Sequence, residues 1–426
     1  MLDSLTKSTY EAILVSELRP AMGCTEPIAI AYASSILGEV LGGYPDKISA
    51  KFTGNIIKNV KSVIVPATGG RHGIEAAIAA GLVSCRPDKR LEVLTVLTSD
   101  DEEKIDFLLS SCPISIEKLN TGCSFELVLV GERGDCEATV RISGAHTNVT
   151  EVTLNGESLA AKYVETTIVE ESGDSPDYTL LNVEDIVKFA DEIDLDLLRP
   201  YLTRQLEMNM DIAKEGLSGN WGAEIGKVML SMGDDVSRRA RAYAAAGSDA
   251  RMSGCEKPVC IISGSGNQGI TASVPVAIYG EELKKSQEEI LRALIVSDLI
   301  TIHQKTGIGT LSAYCGAISA GVGAGAGICY LQGGRFREIA HTLVNSVAIL
   351  SGTICDGAKP SCAAKIAMAV EAGIMGYEMW RCGSQFHGGD GIVTKGVENT
   401  IKNVGRLAKE GMSDTDREII EIMLGI

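Results

Sequence analysis

Three long stretches without a charged side chain constrain the fold of this chain more than any other feature. They span residues 258–280, 306–334 and 339–355. Uncharged segments in several elements of one domain predict a deeply buried centre, which suits a site that must exclude water. The second stretch is long enough to cross a bilayer. It holds nine glycines, four of them in a Gly-x-Gly-x-Gly-x-Gly run at 321–327, so we expect two closely packed buried helices that meet at a glycine-rich turn.

The charge balance narrows the classes of partner. The chain of 426 residues carries 39 Lys and Arg against 56 Asp and Glu, a net charge of −17. Such a field repels nucleic acid and anionic lipid, so we expect no nucleic-acid partner and no membrane partner. The N-terminal residues lack a basic segment followed by an apolar stretch, which predicts no export signal and a cytoplasmic protein. Twelve cysteines in such a chain are expected to be reduced thiols.

The first part of the chain has the texture of a small sheet-containing unit. Short runs rich in Val, Ile, Thr and Leu, several of them alternating in polarity, predict strands. An apolar segment at 74–82 and a capping-box sequence at 99–102 predict two helices among them. Together they indicate a small α+β unit with a mostly antiparallel sheet. The predicted strands are 48–53, 91–98, 125–130, 138–143 and 149–154.

The rest of the chain is predicted to be largely helical, beginning after a polar hinge at 170–177. The chain is longer than one core usually organises, so we expect two compact units. The expected fold class is α+β, with a predominantly helical domain at 166–426 that residues 1–44 join as N-terminal helices. A smaller α/β-sandwich-like domain at 45–165 is inserted near the N-terminus. The predicted helices include 8–19, 197–214, 221–232, 234–246, 281–304, 336–353, 362–380 and 395–410.

Four cysteines lie beside turn-forming sequences or at predicted helix starts. Cys24 directly precedes a helix that Thr25 is expected to cap, and Cys362 lies at another helix start. Cys315 and Cys355 occur beside glycine in apolar surroundings. A thiol pKa near ~8.5 is lowered at a helix N-terminus or by a metal, and the thiolate is the ligand. The alternative, that each is a small buried hydrophobe, remains open from composition and spacing alone.

Three separated motifs resemble the L-cysteine desulfidase family, which is related to the alpha chain of iron–sulfur L-serine dehydratase. They are Gly23-Cys-Thr-Glu-Pro27, Gly264-Ser-Gly-Asn-Gln-Gly-Ile270 and Cys355-Asp-Gly-Ala-Lys-Pro-Ser-Cys362. The resemblance implies a [4Fe–4S] cluster held by three cysteines, with one iron open for substrate. Matched by position, the ligands are Cys24, Cys315 and Cys355, and Cys362 is a fourth ligand or a neighbour. The family's domain that holds the cluster corresponds to the helical one.

The reaction implied by the resemblance is β-elimination on L-cysteine, which gives sulfide, pyruvate and ammonia. An open cluster iron is a soft Lewis acid and a substrate thiolate is a soft ligand, so the leaving sulfur would be stabilised while a base removes the α-proton. The serine dehydratase relatives have a Ser/His-rich motif where this chain has Gly-Cys-Thr-Glu-Pro. This departure favours the desulfidase branch and makes L-serine the second choice of substrate.

The second motif also satisfies the dinucleotide fingerprint Gly-x-Gly-x-x-Gly, which is a weak signal when it occurs alone. Pro275 follows early in the helix that such a fold requires, and no βαβ alternation surrounds the motif. We therefore expect a nest of backbone N–H groups for the amino-acid carboxylate. The alternative is a glycine turn needed only for close helix packing. The residues expected to bind substrate are Ser265, Gly266, Asn267 and Gln268.

Candidates for acid–base chemistry are few, since only five histidines occur. His146 and His387 lie in glycine-flanked polar loops, where an imidazole can act as acid or base. Lys58 and Lys359 are alternative bases or carboxylate anchors, although a solvated surface charge is the ordinary role of lysine. Glu26, next to Cys24, is expected mainly to favour the helix dipole.

Other functions remain open at this point. The substrate could be L-serine or another β-substituted amino acid. A pyridoxal-phosphate lyase would reach the same products, but nothing in the sequence singles out a Schiff-base lysine. A protein of another class, a non-enzymatic thiol-rich redox or metal-binding protein, would use the same cysteines without turnover. A small-molecule amino acid is the expected partner, and a homodimer is the ordinary expectation for assembly.

Overall fold

The structure is a computed structural model, and it describes residues 2–121, 123, 125–163, 176–309 and 312–425. Two hydrophobic cores organise these residues, one around a sheet and one among helices. The strands are β1 (Arg19–Met22), β2 (Lys47–Thr53), β3 (Ile114–Leu119), β4 (Glu126–Arg133), β5 (Cys136–Ser143), β6 (Val149–Leu154), β7 (Glu157–Ser158) and β8 (Pro258–Ile261). The α-helices are α1 (Ser4–Glu17), α2 (Thr25–Leu41), α3 (Gly54–Val60), α4 (Gly73–Ser84), α5 (Glu102–Ser111), α6 (Ala160–Tyr163), α7 (Val183–Glu192), α8 (Arg199–Ser218), α9 (Ile225–Ser231), α10 (Val236–Met252), α11 (Gly266–Glu282), α12 (Gln287–Ile308), α13 (Gly316–Leu331), α14 (Phe336–Leu350), α15 (Cys362–Arg381), α16 (Val397–Arg406) and α17 (Ser413–Leu424).

The larger sheet has the order β3-β2-β4-β5-β6-β7. Strands β2 and β3 are parallel, and the other four neighbouring pairs are antiparallel. In β5, Ala138, Val140 and Ile142 are fully buried and alternate with partly exposed residues, so one face is buried. This arrangement confirms the α+β class and the mostly antiparallel sheet.

Helix α2 covers the buried face of this sheet, and α4 packs against α2. Ile36 and Leu37 of α2 share a core with Leu127 and Val140 of the sheet. The division proposed from the sequence places this helix, within residues 1–44, with the helical domain, but its apolar side chains cover the sheet. The division at 44/45 and 165/166 stays a prediction.

The strand expected at 91–98 is wrong. Residues there form consecutive turns, in which the Thr95 N–H donates to the Glu92 carbonyl and the Leu97 N–H to the Leu94 carbonyl. The buried Val93, Leu94 and Leu97 follow a spacing that suits helical turns, and they pack in the core that α2 covers. The sequence analysis also missed β3.

The helical core is built around α13, which contacts α11, α12, α14 and α15. The glycine run at 321–327 lies inside this one helix, so the expected turn between two helices is wrong. A Cβ on Gly321 would lie 2.3 Å from the Ala369 carbonyl oxygen of α15, and one on Gly323 would lie 2.4 Å from the Ser297 carbonyl oxygen of α12. The glycines therefore permit close helix packing. Among the described residues, no helix combines the length and apolarity needed to cross a bilayer.

Strands β1 and β8 form a separate two-stranded antiparallel ribbon, with Arg19 opposite Ile261 and Met22 opposite Pro258. This ribbon ties the chain that leads into α2 to the chain that leads into α11. It thus brings two of the sequence motifs to one region of the molecule. The hinge expected at 170–177 lies, apart from its last two residues, outside the described residues.

Candidate functional site

One cavity collects the four cysteines that the motifs contain or adjoin. It has a volume of about 190 Å³ and lies between the helical core and the sheet-containing region. Cys24, Cys315, Cys355 and Cys362 all form part of its wall. A single water needs about 10–15 Å³ of such space, so the cavity has room for a guest of several atoms.

Four helices begin at this cavity. Cys24 is the N-cap of α2, Cys315 is the N-cap of α13, and Cys362 is the first residue of α15. Ser265 caps α11. The sequence suggested Thr25 as the N-cap of α2, but the N-cap is Cys24. The Cys24 thiol makes no capping hydrogen bond. Because a helix N-terminus carries partial positive charge and unpaired N–H groups, this convergence favours anionic guests.

Backbone hydrogen bonds hold Cys315 and Cys355 side by side. The Cys315 N–H donates to the Thr353 carbonyl at 3.0 Å, and the Cys355 N–H donates to the Ala313 carbonyl at 2.6 Å. Tyr314, which lies between Ala313 and Cys315, forms an antiparallel bridge with Ile354. The relative position of these two thiols is therefore fixed by main chain, although 40 residues separate them in the sequence.

Burial favours the protonated form of Cys24, Cys315 and Cys362. It raises the pKa of Cys24, and the neighbouring Glu26 carboxylate raises it further. Burial, with the nearby Cys355, raises the pKa of Cys315 to about 12. Burial also raises the pKa of Cys362. Since a coordinating metal deprotonates a thiol outright, the thiolate form in this cavity calls for a bound cationic centre.

The four thiols are a donor set that an iron–sulfur cluster could use. In the described part of the chain, no three His, Cys, Asp or Glu residues are placed to hold one metal ion. A single zinc ion needs its sulfur ligands within about 2.3 Å of one point. A [4Fe–4S] cluster is a larger body bound by cysteine thiolates, and four thiols around a cavity of about 190 Å³ match that requirement.

Glu26 lies in the cavity wall beside Cys24 and is itself buried. The Cys24 Sγ lies 3.5 Å from its Oε2, and the Asn59 Nδ2 donates to its Oε1 at 3.0 Å. Both contacts fix the carboxylate within the cavity, so its role extends beyond the helix dipole expected from the sequence.

His146 is brought to the cavity as the sequence analysis expected. Its ring packs against Phe125, with 4.5 Å between the ring centroids. The Nε2 atom is buried and has no hydrogen-bond partner among the described residues. Burial lowers the pKa of His146, so the neutral imidazole is favoured at neutral pH.

Three lysines and one arginine add positive charge to the wall, namely Lys58, Lys305, Lys365 and Arg251. Lys58 is 1% exposed and its Nζ donates to Asp416 at 2.5 Å. Lys365 donates to Asp356 at 2.6 Å. Burial lowers the pKa of Lys305 to about 8. The negatively charged chain thus surrounds this cavity with cations, which favours an anionic guest.

The structure does not bring the other two acid–base candidates to the cavity wall. His387 lies in an exposed loop, where its backbone N–H donates to the Asp390 carboxylate at 2.6 Å. Lys359 pairs with Asp356 instead of facing the cavity. Lys365, in the first turn of α15, lines the cavity wall instead of Lys359.

The 264–269 motif forms the start of α11 at the cavity. Ser265, Asn267 and Gln268 line the wall, and the Gln268 Oε1 is buried with no partner among the described residues. Gly266 does not line the wall, but a Cβ there would lie 2.4 Å from the Nε of Arg251. The glycine therefore makes room for that guanidinium. The preceding β8 belongs to the two-stranded ribbon, which differs from the parallel sheet of a dinucleotide site.

Sequence reasoning missed Arg251, Lys305 and Lys365. Arg251 is 4% exposed and donates to the Gly23 carbonyl at 2.8 Å and to the Asn267 Oδ1 at 3.2 Å. It thereby links the Cys24 turn to the start of α11. These residues lie inside the observed helices α10, α12 and α15. Arg251 and Lys365 are flanked by apolar residues, whereas Lys305 lies between Gln304 and Thr306, so no shared local signal marked the three.

Comparisons with known proteins identify the family of this chain. The model of the family described as serine dehydratase alpha chain matches residues 88–421. A UPF0597 protein of Desulfitobacterium hafniense is 52% identical over 424 residues, which cover 98% of this chain and 96% of the relative. UPF0597 proteins of Lachnoclostridium phytofermentans and Treponema denticola are 48% and 44% identical over 97% and 99% of this chain, and 98% and 99% of their own. The chain therefore belongs to the serine dehydratase alpha chain family, and this membership supports a lyase activity in amino-acid catabolism.

Proposed function

We propose that this protein is an iron–sulfur-dependent lyase that cleaves L-cysteine by β-elimination to sulfide, pyruvate and ammonia. The observation that supports the proposal most is the convergence of four cysteines from three separate parts of the sequence on one cavity. Membership in a family that is typically associated with an iron–sulfur cluster agrees with it.

In this proposal Cys24, Cys315 and Cys355 hold a [4Fe–4S] cluster, and Cys362 is the fourth thiol beside it. When bound, the cluster supplies a soft Lewis acid for the sulfur of the substrate. The N-termini of α2, α13 and α15 place partial positive charge around the thiolates. Cys24 and Cys315 are buried, so the charges around them act at a lower dielectric than in water.

The start of α11 is proposed to bind the amino-acid end of the substrate. Its free N–H groups, with the side chains of Ser265 and Asn267, can donate to the carboxylate. The unpartnered Oε1 of Gln268 can accept from the ammonium group. Gly266 acts indirectly, since it leaves space for the Arg251 side chain that holds Asn267.

His146 is proposed to accept the α-proton. Its buried Nε2 has no partner in the described residues, and burial favours the neutral ring that a base requires. Lys58 is paired with Asp416 and is proposed to act as a fixed positive charge for the carboxylate. His387 and Lys359 have no part in this scheme, because neither lines the cavity.

The proposal is tested by preparing the protein without oxygen and measuring bound iron, acid-labile sulfide and the absorption spectrum. We expect iron and sulfide in near-equal amounts, and joint release of sulfide and pyruvate from added L-cysteine. Anaerobic protein without iron would contradict the proposal. Serine variants of Cys24, Cys315 and Cys355 that keep the iron content of the wild type would instead support a thiol-rich binding protein.

A second candidate, L-serine dehydration, is favoured by the family match itself. The same cavity would then release water instead of sulfide. Pyruvate release from L-serine and from L-cysteine, measured on one anaerobic preparation, separates the two. Borohydride treatment with substrate detects a Schiff-base lysine and thus tests the pyridoxal-phosphate alternative.

A further inference from the structure

Helix α17 reaches the cavity through a part-buried ion pair. Lys58 lies on α3, is 1% exposed and forms part of the cavity wall. Its Nζ donates to the Oδ1 of Asp416 at 2.5 Å and to the Ser312 carbonyl at 3.5 Å. Asp416 belongs to α17 and follows Lys58 by 358 residues. The end of the chain thus supplies the counter-charge of a cavity residue.

Helix α17 is docked firmly on α3. Ile419 and Ile420 are buried. A Cβ on Gly54 would lie only 2.5 Å from the Ile420 Cδ1, so the glycine leaves room for this side chain. The Lys61 ammonium donates to the Met423 carbonyl. Apolar burial and this hydrogen bond fix α17 along α3, so the Asp416 carboxylate has a defined position beside Lys58.

The geometry leaves one donor of Lys58 for a ligand. An ammonium has three N–H donors, and Asp416 and Ser312 accept two of them within the described residues. A buried ammonium without a counter-ion carries a large desolvation cost. Asp416 offsets that cost and directs the remaining donor, while its own side chain, 22% exposed, does not line the cavity.

We propose that Asp416 is a positioning residue that, through Lys58, sets where the carboxylate of the substrate binds. The inference rests on the proposed function, because it takes the substrate to be an amino acid. Asp416 itself touches no substrate in this arrangement. The C-terminal helix is therefore a part of the substrate site, although no sequence motif of the site lies within it.

The test uses the anaerobic holoenzyme and two inhibitors that lack a leaving group, L-alanine and its amide. L-Alanine has the carboxylate, whereas L-alaninamide replaces it by a neutral group. We expect Asp416→Asn to weaken inhibition by L-alanine about 10-fold, since it disturbs a charge-assisted hydrogen bond. Inhibition by L-alaninamide should change by less than about twofold. In Asp416→Asn, the KM for L-cysteine should rise together with the inhibition constant of L-alanine. The change in kcat should be smaller.

Two variants control for a structural role. Asp416→Glu keeps the charge and should restore L-alanine inhibition to within about threefold of the wild type. Asp414→Asn, on the same helix, alters a carboxylate that is 84% exposed and pairs only with Arg417 among the described residues, so we expect no change. Iron content and circular dichroism should be the same in all three.

The proposal is overturned if Asp416→Asn leaves both inhibition constants unchanged or weakens both inhibitors equally. If Asp416→Asn does not fold, the double variant Lys58→Met, Asp416→Leu decides, because an apolar pair often replaces a buried ion pair without loss of stability. Unchanged L-alanine inhibition in the double variant overturns the proposal too. A wild-type protein that neither cleaves L-cysteine nor binds L-alanine contradicts the proposed function itself. The wild-type measurement therefore distinguishes failure of the proposed function from failure of the proposal about Asp416.

Discussion

The two walls of the cavity contribute different chemistry. The helical wall provides Cys315, Cys355 and Cys362, with helix N-termini behind two of them. The sheet-side wall provides His146 and Lys58, which are nitrogen groups suited to proton transfer and charge, together with Cys24 at the start of α2. Under the proposed function, we expect cofactor binding and proton transfer to be separable. A substitution of a proposed cysteine ligand in either wall should remove the cofactor, and one of His146 or Lys58 should slow turnover while the cofactor stays.

The largest effect is expected for Cys315→Ser. This change removes a proposed covalent ligand, so bound iron should fall below half of the wild-type amount and turnover of L-cysteine by at least about 1,000-fold. Iron and acid-labile sulfide assays on anaerobic protein measure the first, and pyruvate release the second. Cys329→Ala, at the other end of α13 and buried away from the cavity, is the matched control. Equal iron in the Cys315 variant and the wild type would refute this account of the helical wall.

The second effect is expected for His146→Asn. Loss of a positioned base typically lowers kcat by about 100- to 10,000-fold, and the iron content should not change. Steady-state kinetics on anaerobic protein, with iron measured in the same sample, checks both. A variant that loses iron together with activity would show that the two walls are not separable.

The pH profile sharpens the same prediction. Because burial lowers the pKa of His146, the neutral ring persists below its usual value of about 6.5. As pH falls through that lowered pKa, the ring becomes protonated and kcat/KM should decrease. This acidic limb should be absent in His146→Asn. A wild-type limb centred above about 6.5 would point to another base.

A smaller effect is expected for Gly266→Ala. The added Cβ would lie 2.4 Å from the Arg251 Nε, so the guanidinium must move away from Gly23 and Asn267. The KM for L-cysteine should rise about 10-fold, and the free energy of unfolding should fall by about 1–3 kcal/mol. Steady-state kinetics and denaturant titration measure these changes. Gly307→Ala, where a Cβ meets only an ordinary contact at 3.4 Å, is the control and should leave both nearly unchanged.

The smallest effect is expected for His387→Ala. His387 is exposed and does not line the cavity, so kcat and KM should stay within about twofold of the wild type. The measurement belongs in the same series as His146→Asn. A loss as large as that of His146→Asn would mean that the loop of His387 reaches the site during turnover.

Much of the site was predictable because its residues stand in local patterns. Cys24 and Cys362 lie where turn residues and helix-start preferences mark a helix start, and such signals depend on neighbouring residues only. Strands β4, β5 and β6 were predictable from short runs rich in Val, Ile, Thr and Leu. Local rules thus placed most elements and the three motifs.

Features that depend on distant partners were not predictable. The glycine run of α13 reads as a turn in the sequence, and only its contact with α12 and α15 explains it as helix. Arg251 and Lys305 lie in helices whose local pattern does not show which charged residue is buried. His387 has the same glycine-flanked setting as His146, but it lies outside the cavity because its loop packs elsewhere.

The convergence of helix starts has a consequence for how the protein matures. Cys24 leaves the ribosome 338 residues before Cys362, which at bacterial or eukaryotic elongation rates is a delay of about 17–70 s. During this time no complete set of sulfur donors exists, and the early thiol is exposed to oxidants and stray metals. Under the proposed function, iron and sulfide can therefore assemble at the complete site only after these cysteines have been synthesised.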